Sequence, residues 1–397
     1  MTQPANNQKR ILLLSAYHGQ SHERWCRELM AQLTEYHWTL EALPARYFSW
    51  RTRGNSLTWG MGEFPNLDNH YDLLLATSMV DLTALRGFRP NLASVPTILY
   101  FHENQFAYPD NDKLQGKVEI QLTSLYSALA ADKLIFNSLF NQKTFLAGTE
   151  ALLKKLPDGI PRGLVDQLSS KSSVIPVPVD EVINDDLNHC QRVINKFRSN
   201  STHTVHVLWN HRWEWDKGPS LLLEIVRILA EEKWLGRCFK FHIAGQQFRR
   251  VPDAFSDIKA ILQQNNALET WGFVDSYQDY QALIQHCDVV LSTASHDFQG
   301  LSMIEAVSQG CLPLAPQDLA YPEWFDSQYL YTVNAGDVEK TARNAVNKLV
   351  SWFVPKHDGA GCSLKGAEEF RTRDCSSLTW QALKPKYEAS LNQYLQK

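Results

Sequence analysis

The stretch SHDFQGLSMIEAVSQGCLP, residues 295–313, sets an acid, Asp297, three residues before Gly300, with a second acid, Glu305, further into the apolar segment that follows. An acid is costly to bury without a partner. A glycine that opens a helix leaves N–H groups that attract anions. Acids beside an anion site suit a ligand that carries both hydroxyls and phosphates. Gly300 and Leu301 would present the N–H groups, Glu305 would accept from a ribose diol, and Asp297 from a sugar hydroxyl. The same residues also fit a plainer arrangement, in which Asp297 caps the helix and Glu305 faces solvent.

A second stretch, WNHRWEWDKGP at 209–219, follows one apolar run and opens the next amphipathic one. Arg212 can bind phosphate bidentately and Lys217 as a point charge, while Gly218 permits close backbone approach. Together the two cations could neutralise a diphosphate leaving group without a metal. Two solvated cations beside a helix capped by Asp216 are the alternative. Gly272, Phe273 and Val274 close another apolar run and are assigned to the same donor side.

The first half offers polar residues at the ends of apolar runs, where ligands of open parallel sheets bind. His18 and His22 flank Gly19, a position open to close approach of a ligand. His102, Glu103 and Asn104 follow PTILYF, and Asn137 and Ser138 follow ADKLIF. Asn137 and Ser138 read equally as helix caps or as ligand contacts, and histidines in such places are often structural. RYFSWRTRG interleaves Arg46, Arg51 and Arg53 with Tyr47, Phe48 and Trp50. Cations among aromatics suit phosphates and unstacked bases, but also a solvated basic loop with its rings turned inward. Arg249 and Arg250 form a second basic pair. Asp110-Asn111-Asp112 has the spacing of a metal-binding D-x-D, yet its setting after Tyr-Pro suits a solvated turn, and no metal is assigned. No G-x-G-x-x-G follows the first apolar run, which argues against a dinucleotide enzyme.

These residues need elements to hold them. RILLLSAY, YDLLLATS, PTILYFHEN and ADKLIFNS are dense in Leu and Ile with little alternation, as in strands covered on both faces. SHERWCRELMAQLTEY, between the first two, reads as a helix. SSVIPVPVD at 172–180 reads as a linker. The pattern then restarts with HTVHVLWN, KFHIAG, LETWGFV, CDVVLSTAS and CLPLAP as strands. KGPSLLLEIVRILAEEKW, SYQDYQALIQH and LSMIEAVSQG lie between them as helices. The expected fold is α/β, with two doubly wound Rossmann-like domains over 1–178 and 179–375 and a ligand cleft between them. A helix over 376–397, kinked at Pro385, is expected to cross back.

The 397 residues exceed one ordinary core, and 44% apolar with 21% charged residues is a soluble composition. No run is long enough to span a bilayer, and MTQPANNQKR lacks the apolar part of a signal peptide. Seven cysteines without C-x-x-C argue for a reducing compartment and against a zinc site, so a cytoplasmic location without membrane contact is expected. A net charge of −4 gives no global pull on nucleic acid, so a polyanion would need a local patch.

The two stretches of the second half resemble the donor site of retaining GT-B glycosyltransferases, whose pattern is R-x4-K and later E-x-F-G-x4-E. Arg212, Lys217, Gly300 and Glu305 match it. Asp297 stands in place of the first Glu, and the Phe comes one place early, at 298. SAYHGQSH (15–22), LPARYFSWRTRG (43–54), YFHENQFAYP (100–109) and FNSLFNQKTFL (136–146) resemble the tRNA-queuosine mannosyltransferases. That resemblance implies a hexosyltransferase that moves mannose from GDP-mannose to the cyclopentene diol of queuosine in a tRNA anticodon, that of tRNA-Asp, with retention. It implies no cofactor beyond the nucleotide-sugar co-substrate. The first domain would hold the tRNA and the second the nucleotide sugar, with His102 near the reacting carbon. Transfer of another sugar such as glucose, or binding without catalysis, remain the alternatives.

Overall fold

The computed structural model describes residues 8–108, 117–180, 203–355, 361–365 and 375–395. The chain divides into two compact units, Met1–Pro178 with Trp380–Lys397, and Val179–Thr379. The Asp110–Asp112 motif lies outside the described residues.

The first unit is built on six parallel strands, β1 (Arg10–His18), β2 (His37–Pro44), β3 (Leu73–Thr77), β4 (Thr97–Phe101), β5 (Lys133–Phe136) and β6 (Ser172–Val174). Their order is β2-β1-β3-β4-β5-β6. Ile11 to Leu14, Leu73, Leu74, Ile98 and Leu99 are wholly buried, as befits strands covered on both faces. Two strands depart from the expectation. β2 lies at the edge and is only half-buried, so it lacks the dense apolar run that marks the others. β6 lies within the stretch expected to be a linker and pairs with β5 through Ser172, Ser173 and Val174. RYFSWRTRG is not a loop either, because a helix runs over Phe48–Met61.

The helix Trp380–Leu395 continues through Pro385 and belongs to the first unit. Tyr387 anchors it: its hydroxyl accepts from Trp25 Nε1 at 3.1 Å and lies 3.0 Å from the Pro176 carbonyl and 3.1 Å from the Tyr100 hydroxyl.

The second unit has β7 (Val205–Trp209), β8 (Phe239–Ala244), β9 (Leu268–Gly272), β10 (Val289–Leu291), β11 (Leu312–Pro316) and β12 (Leu330–Tyr331), all parallel. Their order is β12-β11-β10-β7-β8-β9. Chain order reverses direction between β7 and β10, and ligands of doubly wound sheets bind at that reversal, beyond the C-terminal strand ends. In the first unit the reversal falls between β1 and β3. β13 (Phe353–Pro355) and β14 (Cys362–Leu364) add a small antiparallel pair.

Candidate functional site

The loops leaving β7 and β10 meet. β7 leads through Asn210 to a short 3-10 turn, Trp215–Lys217, and then the helix Pro219–Glu231. β10 leads through Thr293 and Asp297 to the helix Leu301–Ser308. Lys217 is buried, and its Nζ donates to the His296 carbonyl at 2.8 Å. It also lies 3.5 Å from Asp297 Oδ2 and 3.6 Å from Asp216 Oδ2. Arg212, half-exposed, pairs with Glu214 at 2.6 Å and approaches the same Asp216 oxygen at 3.6 Å. Asp216 therefore sits between the two cations, which explains how they share one turn. Burial raises the Glu214 carboxyl above its ordinary range, against the pull of Arg212.

Two glycines let the loops close. Gly218 has φ +67°, and a Cβ there would lie 1.9 Å from the Thr293 carbonyl oxygen. Thr293 Oγ1 in turn donates to the Lys217 carbonyl at 2.7 Å. Gly300, with φ +76°, begins the second helix against the Tyr321 ring. Leu301, half-buried, follows it, and the first-turn N–H groups have no acceptor within the helix. Glu305 lies half-buried in its second turn.

Asp297 is held at the start of the second helix. One carboxylate oxygen accepts from the Gly300 N–H at 2.9 Å, and the other accepts from Tyr321 at 3.2 Å beside Lys217. Burial pushes its pKa up, but Lys217, His211 and the Gly300 N–H outweigh this and hold it at about 2. Both oxygens are engaged, so this residue caps the helix and fixes Lys217.

Sequence reasoning passed over three residues here. His211 is buried with no hydrogen-bond partner at Nε2 among the described residues, while Nδ1 lies 3.5 Å from Ser302 Oγ. Burial, then Lys217, pushes its pKa down to about 3, so it is neutral. Its place in the WNHRW run was the available signal. Asn210 donates to the Ser302 carbonyl and to Tyr280, at 3.0 and 2.9 Å. Tyr321 comes from a later segment, and no local pattern points to it. Gly272, at φ +107°, ends β9, with its carbonyl accepting from Gly245 at 3.1 Å. Phe273 beyond it is exposed, and Val274 packs on the core.

In the first unit, the ends of β1 and β4 bring His22, His102 and Glu103 together. The two imidazoles lie 4.2 Å apart, and His22 Nε2 is 3.5 Å from Glu103 Oε2. His102 Nε2 and Glu103 Oε1 are buried with no hydrogen-bond partner among the described residues. A polar atom left so is expensive, and a cluster of them at strand ends could receive a polar ligand. Burial, then His22, holds the His102 pKa well below the ordinary value, so this ring is neutral. His18 lies near, with Nδ1 3.0 Å from Ser15 Oγ. Gly19 has an ordinary φ of −81°, and a Cβ there would meet Ala45 at 3.6 Å, so the backbone does not demand glycine.

Asn104, Asn137 and Arg51, expected as acceptor contacts, have partners within the first unit. Asn104 donates to Asn141 and Thr144 and accepts from the N–H groups of Phe106 and Ala107. Asn137 donates to the His102 carbonyl and accepts from Asn141. These side chains are consumed in joining the β4 and β5 loops. Arg51 is buried, its Nε donating to the Pro44 carbonyl at 3.3 Å. Of the basic aromatic segment, Arg46, Tyr47, Trp50 and Arg53 remain exposed. Arg46 lies over the Tyr47 ring at 5.9 Å, and Arg53 donates to the Ser49 carbonyl at 2.9 Å. Arg249 and Arg250 are exposed in the second unit. No helix among the described residues is long and apolar enough to cross a membrane.

Comparison with known proteins agrees with this division. Residues 10–179 match the family model described as tRNA-queuosine alpha-mannosyltransferase N-terminal, and residues 193–351 match glycosyl transferases group 1. A Drosophila melanogaster protein named tRNA-queuosine alpha-mannosyltransferase is 32% identical over 324 residues, 82% of this chain and 84% of that one. Sucrose-phosphate synthase from Thermosynechococcus elongatus superposes with a TM-score of 0.65 at 13% identity, covering 97% of this chain and 99% of its own. HepE from Anabaena, solved with UDP, gives 0.57 at 14% identity, covering 97% and 100%. The two Rossmann-like units are those of the GT-B fold.

Proposed function

The chain belongs to the tRNA-queuosine alpha-mannosyltransferase family, and from that premise we propose that it transfers mannose from GDP-mannose to the cyclopentene diol of queuosine in the tRNA-Asp anticodon. The anomeric configuration is retained and no divalent metal takes part. The observation that carries this reading is the Lys217–Asp297–Gly300 arrangement at the β7/β10 reversal. It places a fixed cation and the N-terminus of a helix side by side, where a nucleoside diphosphate would find both.

In the proposed step the acceptor oxygen bonds to the anomeric carbon as the bond from that carbon to the phosphate oxygen breaks. The departing phosphate takes the acceptor's proton, so no side chain has to act as nucleophile. Lys217 and Arg212 balance the charge that develops on the leaving group. Glu305 holds the ribose. Asp297 acts through Lys217 and Gly300, not on the sugar. In the first unit His22, His102 and Glu103 receive hydroxyls of the acceptor, satisfying atoms that otherwise lack partners.

The test is to incubate the purified chain with queuosine tRNA and a series of nucleotide sugars, then to weigh the nucleosides by mass spectrometry. One added hexose with GDP-mannose, unchanged by chelator, is expected. Transfer from UDP-glucose in preference to GDP-mannose would replace the donor. Loss of transfer on chelation would restore the D-x-D acids as metal ligands.

The exposed residues at the start of the helix Phe48–Met61 are proposed to meet the tRNA. Arg46→Ala with Arg53→Ala should weaken tRNA binding and reduce the slope of log affinity against log salt by about 1.4–1.8, since each phosphate contact contributes about 0.7–0.9. Arg51→Ala should lower stability instead, because it strips a buried cation from the Pro44 carbonyl. Filter binding across a salt series, with thermal melts of the same variants, separates the two. An unchanged slope would remove this segment from the tRNA interface.

A further inference from the structure

We propose that His206, His242 and His286 form a binding site for a divalent transition-metal ion of the zinc type, separate from the donor residues. The side-chain nitrogens that would act as ligands all lie within 4.8 Å of one another. The cysteine spacing gave no sign of it, because these ligands come from three elements and carry no local motif. His206 is the second residue of β7, His242 lies in β8, and His286 ends the helix Tyr277–His286. The donor loops leave the C-terminal ends of β7 and β10. His206 lies toward the opposite end of β7, and His286 ends the helix that feeds the start of β10.

The pair His206 Nδ1 and His242 Nε2 is 2.9 Å apart. Two nitrogens on one tetrahedral ion, each at about 2.0–2.1 Å, are roughly 3.3 Å apart. An opening of about 0.4 Å, within reach of a small ring rotation, turns the pair into two ligands. His242 already has the support that ligating imidazoles use: its Nδ1 lies 2.9 Å from Thr270 Oγ1. Donating that N–H to Thr270 leaves the Nε2 lone pair aimed at His206. The His286 ring lies 4.2 Å from that of His206 and 5.7 Å from that of His242, and is exposed. It supplies the third nitrogen and leaves the fourth position to solvent. Three imidazoles and a water suit zinc and its neighbours, not magnesium or calcium, which prefer oxygen. A bound ion would tie the end of this helix to two central strands. The same helix carries Tyr280, which holds Asn210 beside the donor loop.

The full-length chain, untagged and stripped with chelator, is titrated with Zn²⁺ against a chromophoric chelator. One ion per chain is expected, together with a rise in Tm, and Co²⁺ should give the visible d–d absorption of a tetrahedral site. His286→Ala, an exposed change that leaves the sheet intact, should abolish all three signals, and His206→Gln should do the same. Absence of stoichiometric uptake by the parent, or uptake unchanged in His286→Ala, overturns the proposal. Uptake through cysteines alone belongs to the second outcome.

Discussion

Lys217→Ala is expected to lower kcat/KM for transfer by about 10²–10³, the usual loss when one fixed charge facing a leaving group is removed. Part of the damage would be to the fold. Asp297 is partly buried, with its side chain 17% exposed, and its low pKa depends first on Lys217. A partly buried charge that loses its cation costs on the order of 1–3 kcal/mol. A second variant separates the two effects. Lys217→Met combined with Asp297→Asn removes both charges and should recover much of the melting temperature, yet not the rate. Asp297→Asn alone keeps the cation but loosens it, and should fall between. Steady-state kinetics beside thermal melts decide the matter. A double variant that regained the parent's rate would mean that Lys217 serves the loop and not the diphosphate.

Gly218→Ala should be among the most damaging single methyls in the second unit. An L-residue at φ +67° costs about 1–2 kcal/mol for conformation alone. Here the new Cβ would also sit 1.9 Å from a backbone oxygen, that of Thr293, so one of the two loops must move. The combined loss is expected on the order of 3–4 kcal/mol, with nucleoside-diphosphate binding lost as the loops separate. Gly336→Ala is the control. It has φ +78° with nothing within 4 Å of the new Cβ, so it should show the conformational cost alone. Urea denaturation and calorimetry with GDP compare the two. Equal losses would mean that the meeting of the two loops is not what requires glycine at 218.

What could be read in advance follows from where the information lies. The central strands announced themselves because both faces are covered, and such strands must be continuously apolar, as Ile11 to Leu14 are. β2 did not, since an edge strand half open to water has no such run. The helix Phe48–Met61 was hidden by its inner face, which apart from Trp59 is polar or small: Arg51, Thr52, Gly54, Asn55, Ser56 and Gly60 are buried there. Asn55 alone donates to Arg51 and Met79 and accepts from Asp81. The turn at Lys217 and the helix start at Gly300 were visible because strand, turn and helix fall within one short window. The roles of Asn104, Asn137 and Asp297 were not, because a polar group at a strand end looks the same whether it serves a ligand or its own loop. Only the partners distinguish them, and partners such as Tyr321 for Asp297 and Asn141 for Asn104 are remote in sequence.

The helix Trp380–Leu395 packs on the first unit, although the whole second unit is synthesised before it. During translation the β1–β6 sheet must therefore wait, with Trp25 and Tyr100 lacking the Tyr387 hydroxyl that later joins them. A ribosome that stalls or terminates early within the second unit would release a first unit with an apolar seam still open, a ready client for chaperones. Closure of that seam in the proposed tRNA-facing half thus follows synthesis of the second unit.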